Sequence, residues 1–164
     1  MSVVAVVLAA GASSRMGSPK ALLKLRDGRT LLQAHLDALG AFPVVVVEGR
    51  WPLPVPAVHN PDWASTGMVE SLALALVDRY EERVLVTPVD AAPVRGPDLA
   101  ALLAAPAPAC LAHGGRPGHP VVVRRDQIRP PTPLNTLDFT WVEGHPDALV
   151  DLDTPEDWAR FSSR

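Results

Sequence analysis

The stretch VVAVVLAAGASSRMGSPK, residues 3–20, decides the fold because it joins an uninterrupted apolar run to a glycine- and serine-rich loop. An apolar run without alternating polar residues is typical of a parallel strand with both faces covered. Gly11 and Gly17 let the loop turn tightly and bring its backbone N–H groups close to an anion. Arg15 and Lys20 add positive charge, which suits phosphate oxygens. The stretch therefore predicts an α/β sheet whose first loop binds a polyphosphate.

Two common phosphate-binding loops do not fit this stretch. A P-loop requires a lysine and a serine or threonine directly after its second glycine, whereas Gly17 is followed by Ser18 and Pro19. A dinucleotide-binding loop requires Gly-x-Gly-x-x-Gly, and Ser13 stands at the position of its second glycine. Another type of nucleotide loop and an ordinary strand-to-helix turn with surface charges stay open as alternatives.

Length and composition indicate one globular domain over residues 1–164. The net charge of −3 argues against general nucleic-acid binding. No apolar run approaches the roughly 20 residues that span a bilayer, and no basic segment precedes Val3, so neither a membrane span nor a signal peptide is expected. Cys110 is the only cysteine, which excludes an intrachain disulfide and indicates a reducing, cytoplasmic compartment. We expect Cys110 to be an inert thiol in a short buried strand.

Strand-like and helix-like segments alternate along the chain, as in a mainly parallel sheet covered by helices. Strands are predicted at 3–8, 43–47, 83–87, 109–112, 120–123, 139–142 and 148–152, and helices at 31–39, 68–80, 97–103 and from 155 onward. An extended surface connection is predicted at 51–56 because it holds three prolines. We expect a three-layer α/β/α sandwich, Rossmann-like, with a mostly parallel sheet and one late antiparallel strand.

Polar residues follow several of the predicted strands, and ligands of an open parallel sheet collect at the carboxyl ends of its strands. The loop 11–20, the loop 60–71 and Asp90 are therefore expected to meet along one edge. A carboxylate at position 90 can hold Mg²⁺, which prefers oxygen ligands and neutralises charge on phosphate groups. The alternative is a solvated aspartate in a turn.

The stretch from Leu8 to Lys20 resembles the opening signature of the MobA-like nucleotidyltransferases, Leu-Ala-Ala-Gly-x-Ser-x-Arg-Met-Gly-x-x-Lys. It is most similar to that of the molybdenum cofactor cytidylyltransferase branch. The resemblance implies the Rossmann-like fold of the nucleotide-diphospho-sugar transferases. It also implies the following contacts with a bound nucleotide and its triphosphate: Leu8, Ala9, Ala10, Gly11, Arg15 and Lys20, of which Arg15 and Lys20 would also act in catalysis.

Later stretches extend the resemblance over most of the chain. Residues 60–72 resemble the family stretch that shapes the base and ribose pocket, which implies roles for Gly67 and Ser71. The Pro-Val-Asp sequence ending at Asp90 matches the metal-binding motif of the family and implies a catalytic, metal-binding aspartate. The proline that usually follows that aspartate stands one position late, at Pro93, which puts the shape of the local loop in doubt.

Two C-terminal motifs belong to the same resemblance. Residues 115–120 resemble the Gly-x-x-Gly-His-Pro motif of the cytidylyltransferase branch, which implies that His119 lies on the acceptor side; the alternative is a structural turn. Residues 151–157 match the late Asp-x-Asp-Thr-Pro-Glu-Asp stretch. Either Asp151 or Asp153 could return to the site, and we expect Asp151 to be the second metal ligand and Asp153 to be structural. Residues 124–139 are short and proline-rich and depart from the family.

The activity that the resemblance implies is Mg²⁺-dependent transfer of a nucleotidyl group from an NTP, expected to be CTP, to the phosphate of molybdopterin. Molybdoenzymes or their chaperones would be the partners. Two alternatives stay open. Guanylyl transfer, or transfer to a sugar or alcohol phosphate, would use the same first loop. A non-catalytic nucleotide-binding module would result if the departure at 124–139 removes the acceptor pocket.

Overall fold

The computed structural model of the chain describes residues 1–13 and 16–163. Its strands are β1 (Val3–Ala9), β2 (Val44–Glu48), β3 (Val58–His59), β4 (Arg83–Pro88), β5 (Ala109–His113), β6 (Arg116–Arg124) and β7 (Thr140–Glu143). Its helices are α1 (Leu31–Leu39), α2 (Met68–Ala75), α3 (Gly96–Ala104) and α4 (Pro155–Ser162). Short 3₁₀ turns lie at Lys20–Leu22, Arg125–Gln127, Leu134–Thr136 and Pro146–Leu149.

The seven strands of the described residues form one sheet in the order β3-β2-β1-β4-β6-β5-β7. β1 is parallel to β2 and β4, β2 is parallel to β3, and β5 is parallel to β7. β6 runs antiparallel to both of its neighbours, β4 and β5. The predicted mostly parallel sheet with one late antiparallel strand is therefore confirmed.

Both faces of the sheet are buried, which explains the continuous apolar run of β1. Successive β1 side chains alternate between two clusters: Val7 belongs to one with Leu32 of α1 and Leu102 of α3, whereas Val6 belongs to one with Leu72 of α2. Burial of one such side chain contributes about 1.5–3 kcal/mol. The arrangement is the predicted three-layer sandwich, and it places the carboxyl end of β1 between two covered faces.

Helix α2 ends at Ala75, so the predicted helix to Tyr80 was wrong beyond that point. Beyond Ala75 the backbone forms turn-type bonds, in which the Leu76 carbonyl accepts from the Arg79 N–H at 3.2 Å, and the Arg125 guanidinium donates to the same carbonyl at 2.7 Å. The side chain of Tyr80 is 88% exposed, so it does not share the buried face of α2 as the spacing suggested.

Residues 148–152 do not form the predicted strand. Pro146–Leu149 is a 3₁₀ turn, consistent with a proline at its first position, and only Asp151 pairs with another segment, through an isolated bridge to Ala91. Strand β6 begins earlier than predicted because Gly114 and Gly115 both have positive φ and make a two-residue turn directly after β5.

Residues 124–139, whose sequence departs from the family pattern, pack against the core of the sheet. Leu134 is buried, and Ile128 and Leu137 pack against the cluster that α2 covers. Cys110 lies in β5 and is buried as predicted, and burial raises the pKa of its thiol above the usual range. In the part of the chain that the structure describes, every helix is too short or too polar to cross a bilayer.

Candidate active site

A cleft of about 260 Å³ opens where β1 and β4 end. The predicted site residues that line it are Leu8, Ala9, Ala10, Gly11, Lys20, Gly67, Ser71 and Asp90. The structure thus brings together the first loop, the loop 60–71 and the end of β4. Arg15, which was predicted to contact the triphosphate, lies outside the described residues.

Two tryptophans line this cleft: Trp63, which lies in the predicted pocket stretch 60–72, and Trp51, which sequence reasoning did not assign to the site. The Trp51 indole N–H donates to the Ala12 carbonyl at 3.2 Å, and the guanidinium of Arg50 lies 4.8 Å from the indole centroid. The segment that begins at Trp51 was predicted to be a plain surface connection. The signal that could have placed Trp51 in the site is its position just after a parallel strand, where ligands collect.

Gly49 explains how close the walls of the cleft stand to one another. A Cβ at this position would lie 2.4 Å from the Ala10 carbonyl oxygen and 2.7 Å from the Cβ of Trp63. Only glycine therefore fits between the first loop and the loop that carries Trp63.

A buried amide holds the loop 60–71 in shape. The Asn60 side-chain amide donates to the hydroxyls of Thr66 and Ser71, each at 3.0 Å, and its carbonyl accepts from the Asp62 N–H at 2.9 Å. Asn60 is 2% exposed and Ser71 is 3% exposed. Buried polar groups that are all paired fix a single conformation, so the loop that presents Gly67 to the cleft is preorganised.

Three carboxylates gather beside this cleft: Asp90, which lines it, and Asp151 and Asp153, which lie next to Asp90 outside its lining. Each offers one oxygen that lies within 4.8 Å of the other two. The backbone brings them together, because the Leu152 N–H donates to the Asp90 carbonyl at 2.9 Å and Asp151 forms a bridge to Ala91.

Asp153 lies within the carboxylate group and also directly before α4, where the Thr154 N–H donates to Asp157 at 3.0 Å and the Asp157 N–H donates to Thr154 at 3.2 Å. Its expected structural role stays a prediction. The expected position of Asp151 beside Asp90 agrees with the structure, although its role as a ligand stays a prediction.

Lys20 reaches into the carboxylates rather than standing free in the cleft. Its ammonium donates to Asp153 at 2.7 Å and to Asp90 at 3.1 Å. Burial opposes the charged form of this lysine, but the hydrogen bonds and charges of Asp153 and Asp90 outweigh it and raise the Lys20 pKa. Burial and the neighbouring carboxylates Asp90 and Asp153 raise the pKa of Asp151.

These donors fit a divalent cation. Oxygen atoms of carboxylates are the ligands that Mg²⁺ and Mn²⁺ prefer, and three carboxylates against one ammonium leave excess negative charge to be balanced. Asp90, Asp151 and Asp153 are the side chains that would hold such an ion, and the ammonium of Lys20 holds a cation position between two of them.

A second cleft of about 500 Å³ adjoins the first and shares Asp90 with it. His119, Arg116 and Gly118 of β6 line this second cleft. A Cβ on Gly118 would lie 2.0 Å from the Ala148 carbonyl oxygen, so β6 packs directly on the 3₁₀ turn at 146–149. The described lining contains no residue from 124–139, and the departure in that segment therefore leaves this cleft in place.

His119 lies in the second cleft as an uncharged imidazole. Burial lowers its pKa, more strongly than the charge of Asp90 raises it. Its Nδ1 is buried, and among residues 1–13 and 16–163 it has no hydrogen-bond partner. A buried polar atom without a partner costs about 1–3 kcal/mol, and of the three side chains with such an atom among the described residues, His119 is the one that lines a cleft at the carboxylates.

The sheet order and the carboxylate group at the ends of its strands agree with an α/β nucleotidyltransferase. Residues 5–135 match the model of the MobA-like NTP transferase domain, which is most of the chain. The protein belongs to this family and is a nucleotidyltransferase enzyme. Among curated proteins, none matches the chain significantly.

Solved structures with the same fold cover nearly the whole chain. A nucleotidyl transferase from Methanothermobacter has a TM-score of 0.77 and 21% identity, covering 99% of this chain and 96% of that one. Rv0371c of Mycobacterium tuberculosis, crystallised as a complex with manganese, has a TM-score of 0.69 and 22% identity over 99% of each chain. The molybdopterin-guanine dinucleotide biosynthesis protein A of Archaeoglobus fulgidus has a TM-score of 0.68 and 17% identity, covering 98% of this chain and 97% of that one.

Proposed function

We propose that the enzyme transfers the cytidylyl group of CTP to the phosphate of molybdopterin and releases pyrophosphate. The observation that carries this proposal is the pair of clefts that meet at Asp90. A phosphate oxygen of the acceptor attacks the α-phosphorus, the bond from that phosphorus to the bridging oxygen breaks, and pyrophosphate leaves with the electron pair. The acceptor supplies the nucleophile, so the protein acts through alignment and charge neutralisation.

The first cleft is proposed to hold the nucleotide. The backbone at residues 8–11 and Gly67 would allow a flat nucleobase to approach closely. Ser71 lines the same cleft. Trp51 adds an indole held at its edge by Ala12, suitable for stacking on a base. Arg15 and Lys20 are proposed to contact the triphosphate and to stabilise the leaving pyrophosphate.

Asp90, Asp151 and Asp153 are proposed to hold Mg²⁺. When bound, such an ion withdraws charge from phosphate oxygens and orients them for displacement. The crystallisation of Rv0371c with manganese supports a divalent metal in this fold. In the structure Lys20 neutralises Asp90 and Asp153, and we propose that it turns to the triphosphate when a metal takes over that task.

The second cleft is proposed to hold the acceptor. His119 is neutral and partly buried, so it can make directional hydrogen bonds to a phosphate or to the edge of a pterin. Arg116 at the mouth of this cleft can pair with a phosphate. A cofactor made here would be passed to molybdoenzymes or their chaperones, which are the proposed partners.

The choice of base rests on the motif at 115–120, which resembles the cytidylyltransferase branch. The Archaeoglobus protein is named for a guanine dinucleotide, and guanylyl transfer is therefore the second candidate. A non-catalytic module is disfavoured because the second cleft is open and borders the carboxylates.

The proposal is tested by incubating the enzyme with Mg²⁺, molybdopterin and each of CTP, GTP, ATP and UTP. Pyrophosphate release and the mass of the dinucleotide product are measured. Release with CTP and a cytidine-containing product support the proposal. Release with GTP alone would favour the second candidate, and nucleotide binding without release from any NTP would contradict both.

A further inference from the structure

A buried histidine outside both clefts contacts the backbone on either side of Asp90. His35 lies in α1 and is 1% exposed. Its Nε2 is 3.2 Å from the Val89 carbonyl oxygen and 3.0 Å from that of Ala91. These two carbonyls belong to the residues on either side of Asp90, and the sequence assigned no role to His35.

The chemistry of the two partners fixes the state of the ring. Burial lowers the pKa of His35 to about 4, although the Val89 and Ala91 carbonyls and the charge of Asp90 oppose this. The imidazole is therefore neutral near pH 7. Carbonyl oxygens only accept hydrogen bonds, so Nε2 must carry the ring proton and donate it to both.

The same segment is also held from the other side. The Asp90 carbonyl accepts from the Leu152 N–H at 2.9 Å, and Ala91 bridges to Asp151. Three successive carbonyls, from residue 89 to residue 91, are thus held by His35 and by the segment that carries the other two carboxylates. Rotation of the Asp90 backbone would break at least one of these bonds.

We propose that His35 is a positioning residue that sets the place of the Asp90 carboxylate relative to Asp151 and Asp153, and thereby the affinity of the site for a divalent cation. His35 touches neither the clefts nor the ion. The consequence for turnover rests on the proposed function, whereas the consequence for metal affinity does not.

The first variant, His35→Phe, removes the donor and keeps a flat aromatic ring, although a somewhat larger one. Removing a hydrogen-bond partner that orients a metal ligand typically weakens metal affinity about 10–100-fold. We expect Mn²⁺ binding without nucleotide, followed by electron paramagnetic resonance, to weaken about tenfold on that scale. His35→Gln retains an N–H donor of similar reach and is expected to recover most of the affinity.

A matched control separates positioning from general packing. Leu39 is fully buried in the same helix and belongs to the cluster under α1. Leu39→Ala is expected to lower the melting temperature while leaving Mn²⁺ affinity unchanged. In turnover, His35→Phe should raise the KM for Mg²⁺ and leave kcat near the wild-type value at saturating metal.

The inference is overturned if folded His35→Phe binds Mn²⁺ as tightly as the wild type, or if Leu39→Ala weakens binding equally. If His35→Phe does not fold, His35→Asn and His35→Gln are compared instead: the shorter amide should bind Mn²⁺ more weakly, and equal affinities would overturn the inference. Wild-type protein that binds Mn²⁺ but transfers no nucleotide would contradict the proposed function alone.

Discussion

The two clefts that meet at Asp90 are lined by residues of different chemical character. The first cleft, which is proposed to hold the nucleotide, is lined by backbone, small residues and two tryptophans. Its loop 60–71 is held in place by the hydrogen bonds of Asn60. The second cleft, which is proposed to hold the acceptor, is polar: it is lined by three aspartates, Arg116 and His119, whose Nδ1 lacks a partner among the described residues. We therefore expect the first cleft to be formed before a ligand binds and the second to gain a hydrogen bond at His119 when the proposed acceptor binds.

The largest effect is expected at Asp90, the charged residue that both clefts share. Asp90→Asn keeps the shape but removes the charge that would hold a cation, and we expect turnover to fall by about a hundred- to a thousandfold, the range found for a key electrostatic group. Circular dichroism should remain that of the wild type. Asp126→Asn is the control, because Asp126 is an exposed carboxylate paired with Arg124 away from both clefts. If Asp90→Asn turned over at the wild-type rate at saturating Mg²⁺, the proposed metal-binding role of Asp90 would be wrong.

Lys20→Met sharpens the comparison because Lys20 bonds to the shared carboxylates and lines only the first cleft. The loss of a charge-assisted contact should weaken CTP binding by about 1.5–3 kcal/mol. Without nucleotide, however, Mn²⁺ should bind more tightly, because the ammonium no longer competes for Asp90 and Asp153. Calorimetric titrations measure both affinities, and weaker Mn²⁺ binding would show that Lys20 supports the metal rather than replacing it.

Gly118→Ala should disturb the acceptor side alone. The new methyl group would overlap the Ala148 carbonyl, so β6 or the turn at 146–149 must move. We expect the KM for the acceptor to rise about tenfold, since small misplacements of a substrate carry large effects, while the dissociation constant for CTP stays unchanged. A parallel loss of CTP affinity would show that the two clefts are not independent.

Trp51→Ala should disturb the nucleotide side alone and by the smallest amount, about 1 kcal/mol at the lower end of the range for base stacking. Stacking of a base on an aromatic side chain contributes about 1–3 kcal/mol, so CTP affinity should fall while affinity for inorganic tripolyphosphate does not. Trp141→Ala is the control, because Trp141 is 54% exposed on the edge strand β7. Equal losses for CTP and tripolyphosphate would mean that Trp51 supports the first loop and does not contact the base.

Sequence patterns predicted the sheet, its layers and most of the first cleft, because strand β1 and the motifs at 8–20 and 88–90 are local in the chain. What they missed depends on contacts between distant segments. Nothing in the sequence around His35 distinguishes it from other helical histidines, because its role depends on the packing of α1 against the turn at Asp90. Asp153 looked like a helix-start carboxylate because Thr154 and Pro155 follow it, and only the bridge between Ala91 and Asp151 carries it into the site.

The most direct measurement is a crystal structure of the enzyme with Mn²⁺ and a CTP analogue that cannot be cleaved at its α-phosphorus. We expect the base between residues 8–11 and Gly67, the triphosphate along the loop 11–20, and an anomalous manganese peak at Asp90. A nucleotide bound in the second cleft, or manganese located away from all three aspartates, would contradict the account.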